Sequence, residues 1–155
     1  MGTEIERKYI ISPDWEPETK GDEIAQGYLA DDPMRTVRVR IRAGKGYLTV
    51  KGATCGIGRA EFEYEVPLKD AREMLAMCDT RVEKVRYLVP YQGHTWEADI
   101  FHGANEGLRM AEVELSSEDE EAALPPWVTR EVTGDARYYN AQLAKNPFSA
   151  WKNHD

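Results

Sequence analysis

A chain of 155 residues with 41% hydrophobic content is long enough for one core and short for two, so a single domain spanning residues 1–155 is expected. Charged residues make up 31% and the net charge is −8, which argues against a nucleic-acid binder working through a basic surface but does not constrain an interior site. There is no apolar run long enough for a membrane helix, and the first residues lack the apolar stretch of a secretory signal, so a cytoplasmic protein without membrane contact is expected.

The segment TEIERKYI, residues 3–10, reads as a strand that puts Glu4, Glu6 and Lys8 on one face. Two carboxylates about 6–7 Å apart repel by about 2.5 kcal/mol at an effective dielectric near 20, so a partner or bulk water must compensate. SPDWEPETKGDE, with two prolines, predicts a loop or irregular helix, and AQGYLADDP a short element stopped by Asp31-Asp32-Pro33. RTVRVRIRAGKGYLTVKG is the clearest hairpin, with a turn expected at Gly44-Lys45-Gly46. Val37, Val39 and Ile41 take one face of it, and Arg38, Arg40 and Arg42 the other.

A glycine-rich piece, GATCGIG, leads into RAEFEYEVP, where Glu61, Glu63 and Glu65 alternate with Phe62, Tyr64 and Val66. LKDAREMLAMCD has helical spacing at Leu68, Ala71, Leu75 and Cys78. VEKVRYLVP and HTWEADIF form a second hairpin, with Lys84 and Arg86 on one face and Glu97 and Asp99 likewise. MAEVEL sets Glu112 and Glu114 against Val113 and Leu115. SSEDEEAAL predicts a short acidic helix ended by Pro125-Pro126, and DARYYNAQLAKN a last helix opened by Asp135. Cys55 and Cys78 lack metal or redox spacing and read as ordinary thiols; His94, His102 and His154 are scattered.

Nearly every predicted strand thus has an apolar face and an ionic one, and the ionic runs segregate by sign. Water on the ionic face of an antiparallel sheet explains single strands. A sheet curled with that face inward explains the set: Arg and Lys would grip phosphate oxygens, and the carboxylates would hold Mg²⁺ or Mn²⁺, hard ions that prefer oxygen. An acidic protein binds an acidic substrate when cations bridge the two.

The ordered series TEIERKYI, AQGYL, TVRVRI, YLTVKG, RAEFEYEVP, VEKVRY, WEADIF, AEVEL and EVTGDARYYN resembles the CYTH superfamily of triphosphate tunnel metalloenzymes, in particular its short prokaryotic inorganic triphosphatases. The resemblance implies an α+β fold: an eight-stranded antiparallel β-barrel, or tunnel, with a charged interior and helices packed outside. It also implies metal-dependent hydrolysis of inorganic triphosphate to diphosphate and phosphate. The alternatives within it are an adenylate cyclase or a thiamine or nucleoside triphosphatase, and outside it a non-catalytic polyphosphate or nucleotide sensor.

By position, the resemblance implies Glu4, Glu6 and Glu114 as ligands of the activating metal, with Glu112, Asp99 and Glu63 as partners of a second metal or its water shell. Lys8, Arg38, Arg40, Lys51, Lys84 and Arg86 would bind phosphate, joined by Arg137 from the last helix. Tyr28, Lys51 and Lys8 are the candidate catalytic groups. Arg42 and Glu65 lie at strand ends, and Glu61 and Glu97 would hold the basic residues in place. The four tryptophans are assigned packing or cap roles, which leaves no aromatic cradle for an organic group and favours inorganic triphosphate. Either a monomer or a homodimer is compatible with this reading.

Overall fold

A computed structural model describes residues 2–151. The described residues form nine strands: β1 (Gly2–Ile11), β2 (Asp22–Asp32), β3 (Arg35–Arg42), β4 (Lys45–Gly52), β5 (Gly58–Val66), β6 (Val82–Tyr91), β7 (His94–His102), β8 (Arg109–Glu114) and β9 (Val128–Glu131). The helices are α1 (Leu68–Ala76) and α2 (Asn140–Lys145), and short 3-10 turns occupy Gly103–Asn105, Ala136–Tyr138 and Phe148–Ala150. His154, noted in the sequence, lies outside the described residues.

Every pairing is antiparallel, in the order β5-β4-β3-β2-β6-β7-β8-β1-β9, and β5 also pairs with β1. That additional pairing closes eight strands into a ring. β1 makes closure possible because its outer edge is shared: residues 2–5 face β5, and Tyr9–Ile11 face β9 after the chain has passed. β9 is thus a ninth strand laid beside the ring, and the sequence reading did not foresee it. Side chains alternate along each strand, so that the runs Glu4-Glu6-Lys8, Arg38-Arg40, Lys84-Arg86 and Glu112-Glu114 point into the ring and most apolar residues point out.

Two hairpin turns have both central residues in the left-handed region: Ala43 (φ 50) with Gly44 (φ 79), and Gln92 (φ 45) with Gly93 (φ 87). This geometry matches the twist of the flanking strands. The first turn therefore sits one residue earlier than expected, and Gly46 belongs to β4. A side chain there would meet Ala71 of α1, its Cβ falling 2.5 Å from the Ala71 Cβ, so the glycine lets the helix lie close.

α1 lies outside as expected, covering Val39 with Ala71 and Leu75. A second outer core joins Tyr9, Trp96 and Val113, with Trp15 and Trp127 packed on it; the Trp15 and Trp127 rings stack at 4.9 Å. Trp96 is fully buried and points outward, and Trp151 packs edge-on against Tyr138 and Phe148, so all four tryptophans pack.

The third core corrects the expectation that both helices lie outside. Val82, Phe101 and Met110 share the inward parity of Lys84, Asp99 and Glu112, yet they pack against Tyr138, Leu143 and Phe148 of the C-terminal segment. That segment therefore covers the apolar part of the ring interior. Two helix expectations also fail. Residues 116–124 form turns and irregular chain, in which Glu120 accepts the Ser116 N–H at 2.5 Å and contacts His94 Nε2 at 2.6 Å. The final helix is broken at Tyr139 into a 3-10 turn and α2.

Candidate active site

Inside the ring is a cavity of about 290 Å³ lined by Glu4, Glu6, Lys8, Tyr28, Arg38, Arg40, Lys51, Arg59, Glu61, Glu63, Lys84, Arg86, Glu97, Glu112 and Glu114, with Asn140 of α2. Strand register explains the gathering. Glu6 stands opposite Glu114 and Lys8 opposite Glu112, while β7 brings Glu97 opposite Glu112 and Asp99 next to Arg86 on β6.

The charges form four groups. Lys8 Nζ lies 2.9 Å from Glu112 and 3.3 Å from Glu6. Lys51 Nζ lies 3.0 Å from Glu4 and 3.5 Å from Glu61, and Arg59 reaches Glu4 at 3.4 Å. Arg86 grips Asp99 with two bonds, at 2.8 and 2.9 Å, and Glu97 at 3.2 Å, while Lys84 lies 2.7 Å from Asp99. Arg38 donates to Thr49 at 3.2 Å and to Glu63 at 3.4 Å, and Thr49 itself donates to Glu63.

Negative charge is in surplus near β1 and β8. Burial and the adjacent Glu112 push the Glu6 carboxyl up to about 8, Lys8 only partly offsetting them. Burial, Glu4 and Glu97 also raise Glu114. Glu112 goes the other way: Lys8, Arg86 and Lys84 outweigh its burial and hold it well below the usual range. Burial alone would raise Asp99, but Arg86 and Lys84 hold it low. On the basic side, burial and the neighbouring Arg38 and Arg86 pull Arg40 down to about 9, still protonated at neutral pH. Tyr28 is raised by burial, with Arg38 and Arg40 opposing.

Most of the residues singled out in the sequence therefore meet in one cavity; Asp99, Arg137 and the exposed strand-end Glu65 do not. Asp99 lies beneath the lining, 1% exposed, with both oxygens taken by Arg86 and one also by Lys84. Arg137 binds Asp135 at 2.8 Å and lies over the Tyr138 and Trp151 rings, outside the cavity lining. Among the described residues no three His, Cys, Asp or Glu side chains already converge as a closed metal-ligand set. Four contributors escaped the sequence reading: Gln26, Thr49, Arg59 and Asn140. Gln26, Thr49 and Arg59 share the inward parity of neighbours that were identified, a usable signal; Asn140 has none, because only the fold brings α2 to Lys84.

Residues 2–142 match the CYTH domain. A relative from Acetivibrio thermocellus named inorganic triphosphatase is 49% identical over 155 residues, 98% of this chain and 99% of its own. A second of that name, from Nitrosomonas europaea, is 38% identical over 149 residues, 92% of this chain and 97% of its own. A crystal structure of an inorganic triphosphatase superposes with a TM-score of 0.67 at 33% identity, covering 93% of this chain and 95% of that one. Family match, near-complete coverage and the ring of inward charges agree: the chain belongs to the CYTH domain family.

Proposed function

We propose that this protein is a divalent-metal-dependent hydrolase that cleaves inorganic triphosphate to diphosphate and phosphate, its ring acting as a tunnel with a charged interior. The observation that carries the reading is the arrangement of charge around one cavity: Arg38, Arg40, Lys84 and Arg86 come from β3 and β6, which flank β2, and Glu4, Glu6 and Glu114 come from β1 and β8, across the ring in strand order. The two relatives named inorganic triphosphatase support the same activity.

The carboxylate side fits a hard cation. Its donors are all oxygen, and the Glu6 and Glu114 carboxyls, raised first by burial and then by neighbouring carboxylates, would be favoured in their charged form by a cation. We assign Glu4, Glu6 and Glu114 to that ion, Mg²⁺ or Mn²⁺, and Glu63 and Glu112 to a second ion or its water shell. When bound, the ion neutralises phosphate charge and supplies an activated water. Asp99 acts by holding Arg86 and Lys84 in position.

The chain's own residues then position the substrate. The basic side holds phosphate oxygens where charge builds as the bridging P–O bond breaks, and fixed cations in a confined site need no reorganisation to do so. Lys8 and Lys51 sit between the two sides, each already tied to carboxylates, and Tyr28 offers a hydroxyl beside Arg38 and Arg40 for proton handling. The test is a phosphate-release panel of inorganic triphosphate, ATP, thiamine triphosphate and longer polyphosphate, each with Mg²⁺ and with Mn²⁺. Inorganic triphosphate is the expected best substrate; formation of cyclic AMP from ATP would identify a cyclase instead.

A further inference from the structure

Arg40 differs from the other basic residues of the cavity. Lys8, Arg38, Lys51, Arg59, Lys84 and Arg86 each have a carboxylate in ion-pair contact. Among the described residues none lies within 4.0 Å of the Arg40 guanidinium, although Arg40 is only 7% exposed. Its Nε donates instead to the side-chain oxygen of Gln26, at 2.7 Å. Gln26 is fully buried, and its NH₂ group donates to Tyr28 Oη at 3.1 Å and to Asn140 Oδ1 at 3.2 Å. Asn140 Oδ1 also accepts from Lys84 Nζ at 2.9 Å. Two neutral amides therefore link two cations, on β3 and β6, to the first residue of α2.

A buried charge without a counter-charge is costly. A glutamate at position 26 would have the length and acceptor geometry to neutralise Arg40; the chain carries the amide there. An amide oxygen orients the guanidinium without cancelling its charge, whereas a carboxylate would compete with an incoming anion. We propose that Gln26 and Asn140 are positioning residues that orient Arg40 and Lys84 through neutral hydrogen bonds, leaving the charge of Arg40 available to a phosphate group and tying α2 to substrate binding. This rests on the function proposed above, and it adds a specific claim: at these two positions neutrality matters more than hydrogen bonding.

The test replaces each amide by its own carboxylate. Gln26→Glu and Asn140→Asp preserve shape; Gln26→Glu gives Arg40 a counter-charge but loses the two bonds the Gln26 NH₂ donates to Tyr28 and Asn140, whereas Asn140→Asp keeps its acceptor and places an acid at a helix N-terminus, where it favours folding. Asn140→Asp is expected to keep or raise Tm, and both variants to weaken triphosphate about tenfold or more, seen as a higher KM with a smaller change in kcat. Binding of inorganic triphosphate in excess chelator, by calorimetry, should weaken in parallel, so the claim is read even if turnover is absent. Gln26→Met, which keeps the site's charge but removes the hydrogen bonds, should lower Tm and weaken binding less than Gln26→Glu. Loss of triphosphate hydrolysis by the unmodified protein would refute the functional reading alone. Unchanged triphosphate binding in Gln26→Glu, or affinity that simply follows Tm across the three variants, would overturn the proposal.

Discussion

Asp99 is where a structural and a metal-binding role make opposite forecasts. Its carboxylate is 1% exposed and accepts two bonds from Arg86, at 2.8 and 2.9 Å, with Lys84 Nζ at 2.7 Å. Asp99→Asn keeps the shape but leaves two buried cations facing a neutral group that can accept on only one side. Removing one partner of a buried ion pair costs about 3–5 kcal/mol. For a chain of this size that corresponds to a fall in Tm of about 10 °C. Thermal unfolding in chelator and again in excess Mg²⁺ should show the same large drop in both, with KM raised because Arg86 and Lys84 lose their anchor. A variant whose Tm matches the unmodified protein in chelator, and which loses only the stabilisation given by Mg²⁺, would refute this reasoning and place Asp99 among the metal ligands.

Other substitutions probe the remaining assignments. Glu6→Gln should abolish metal-dependent phosphate release while the fold stands. Because Glu6 is raised to about 8 in the folded state, the native protein binds more protons than the unfolded chain between the ordinary carboxylate range and about pH 8. Metal-free stability should therefore fall as pH rises through that window, and Glu6→Gln should flatten the fall, as followed by Tm against pH in chelator. Gly46→Ala forces a methyl against Ala71 and should cost about 2 kcal/mol by denaturant unfolding with KM little changed. Arg137→Ala should leave KM within about twofold, since its side chain lies on Asp135, Tyr138 and Trp151 rather than on the cavity, and its surface contacts are weak. A tenfold rise in KM would bring Arg137 into the substrate site.

The ionic interior was legible because a strand has a period of two residues, so Glu4 with Glu6, or Arg38 with Arg40, share a face whatever the topology. Nothing local could reveal that β1 divides one edge between β5 and β9, since that depends on how the ring closes; the short VTRE strand was missed for the same reason. The acidic run after Leu115 has helical propensity, yet it forms turns whose Glu120 contacts His94 of β7, a partner that local spacing does not show. Parity identified the faces without saying which inward residues would be apolar. Phe101 and Met110 continue the ionic faces of Asp99 and Glu112, and become core only because the C-terminal segment folds over them. Asn140 was invisible for that reason, and the burial of Asp99 beneath Arg86 has no counterpart in spacing.

The central claim is that the ring holds inorganic triphosphate between a basic side and a metal-binding carboxylate side. The most direct measurement is the initial rate of phosphate release from inorganic triphosphate by the purified protein, with Mg²⁺ or Mn²⁺ and with excess chelator. The account requires turnover with metal that stops in chelator and returns when metal is restored. Absence of phosphate release with either ion, or release unaffected by chelator, would contradict it.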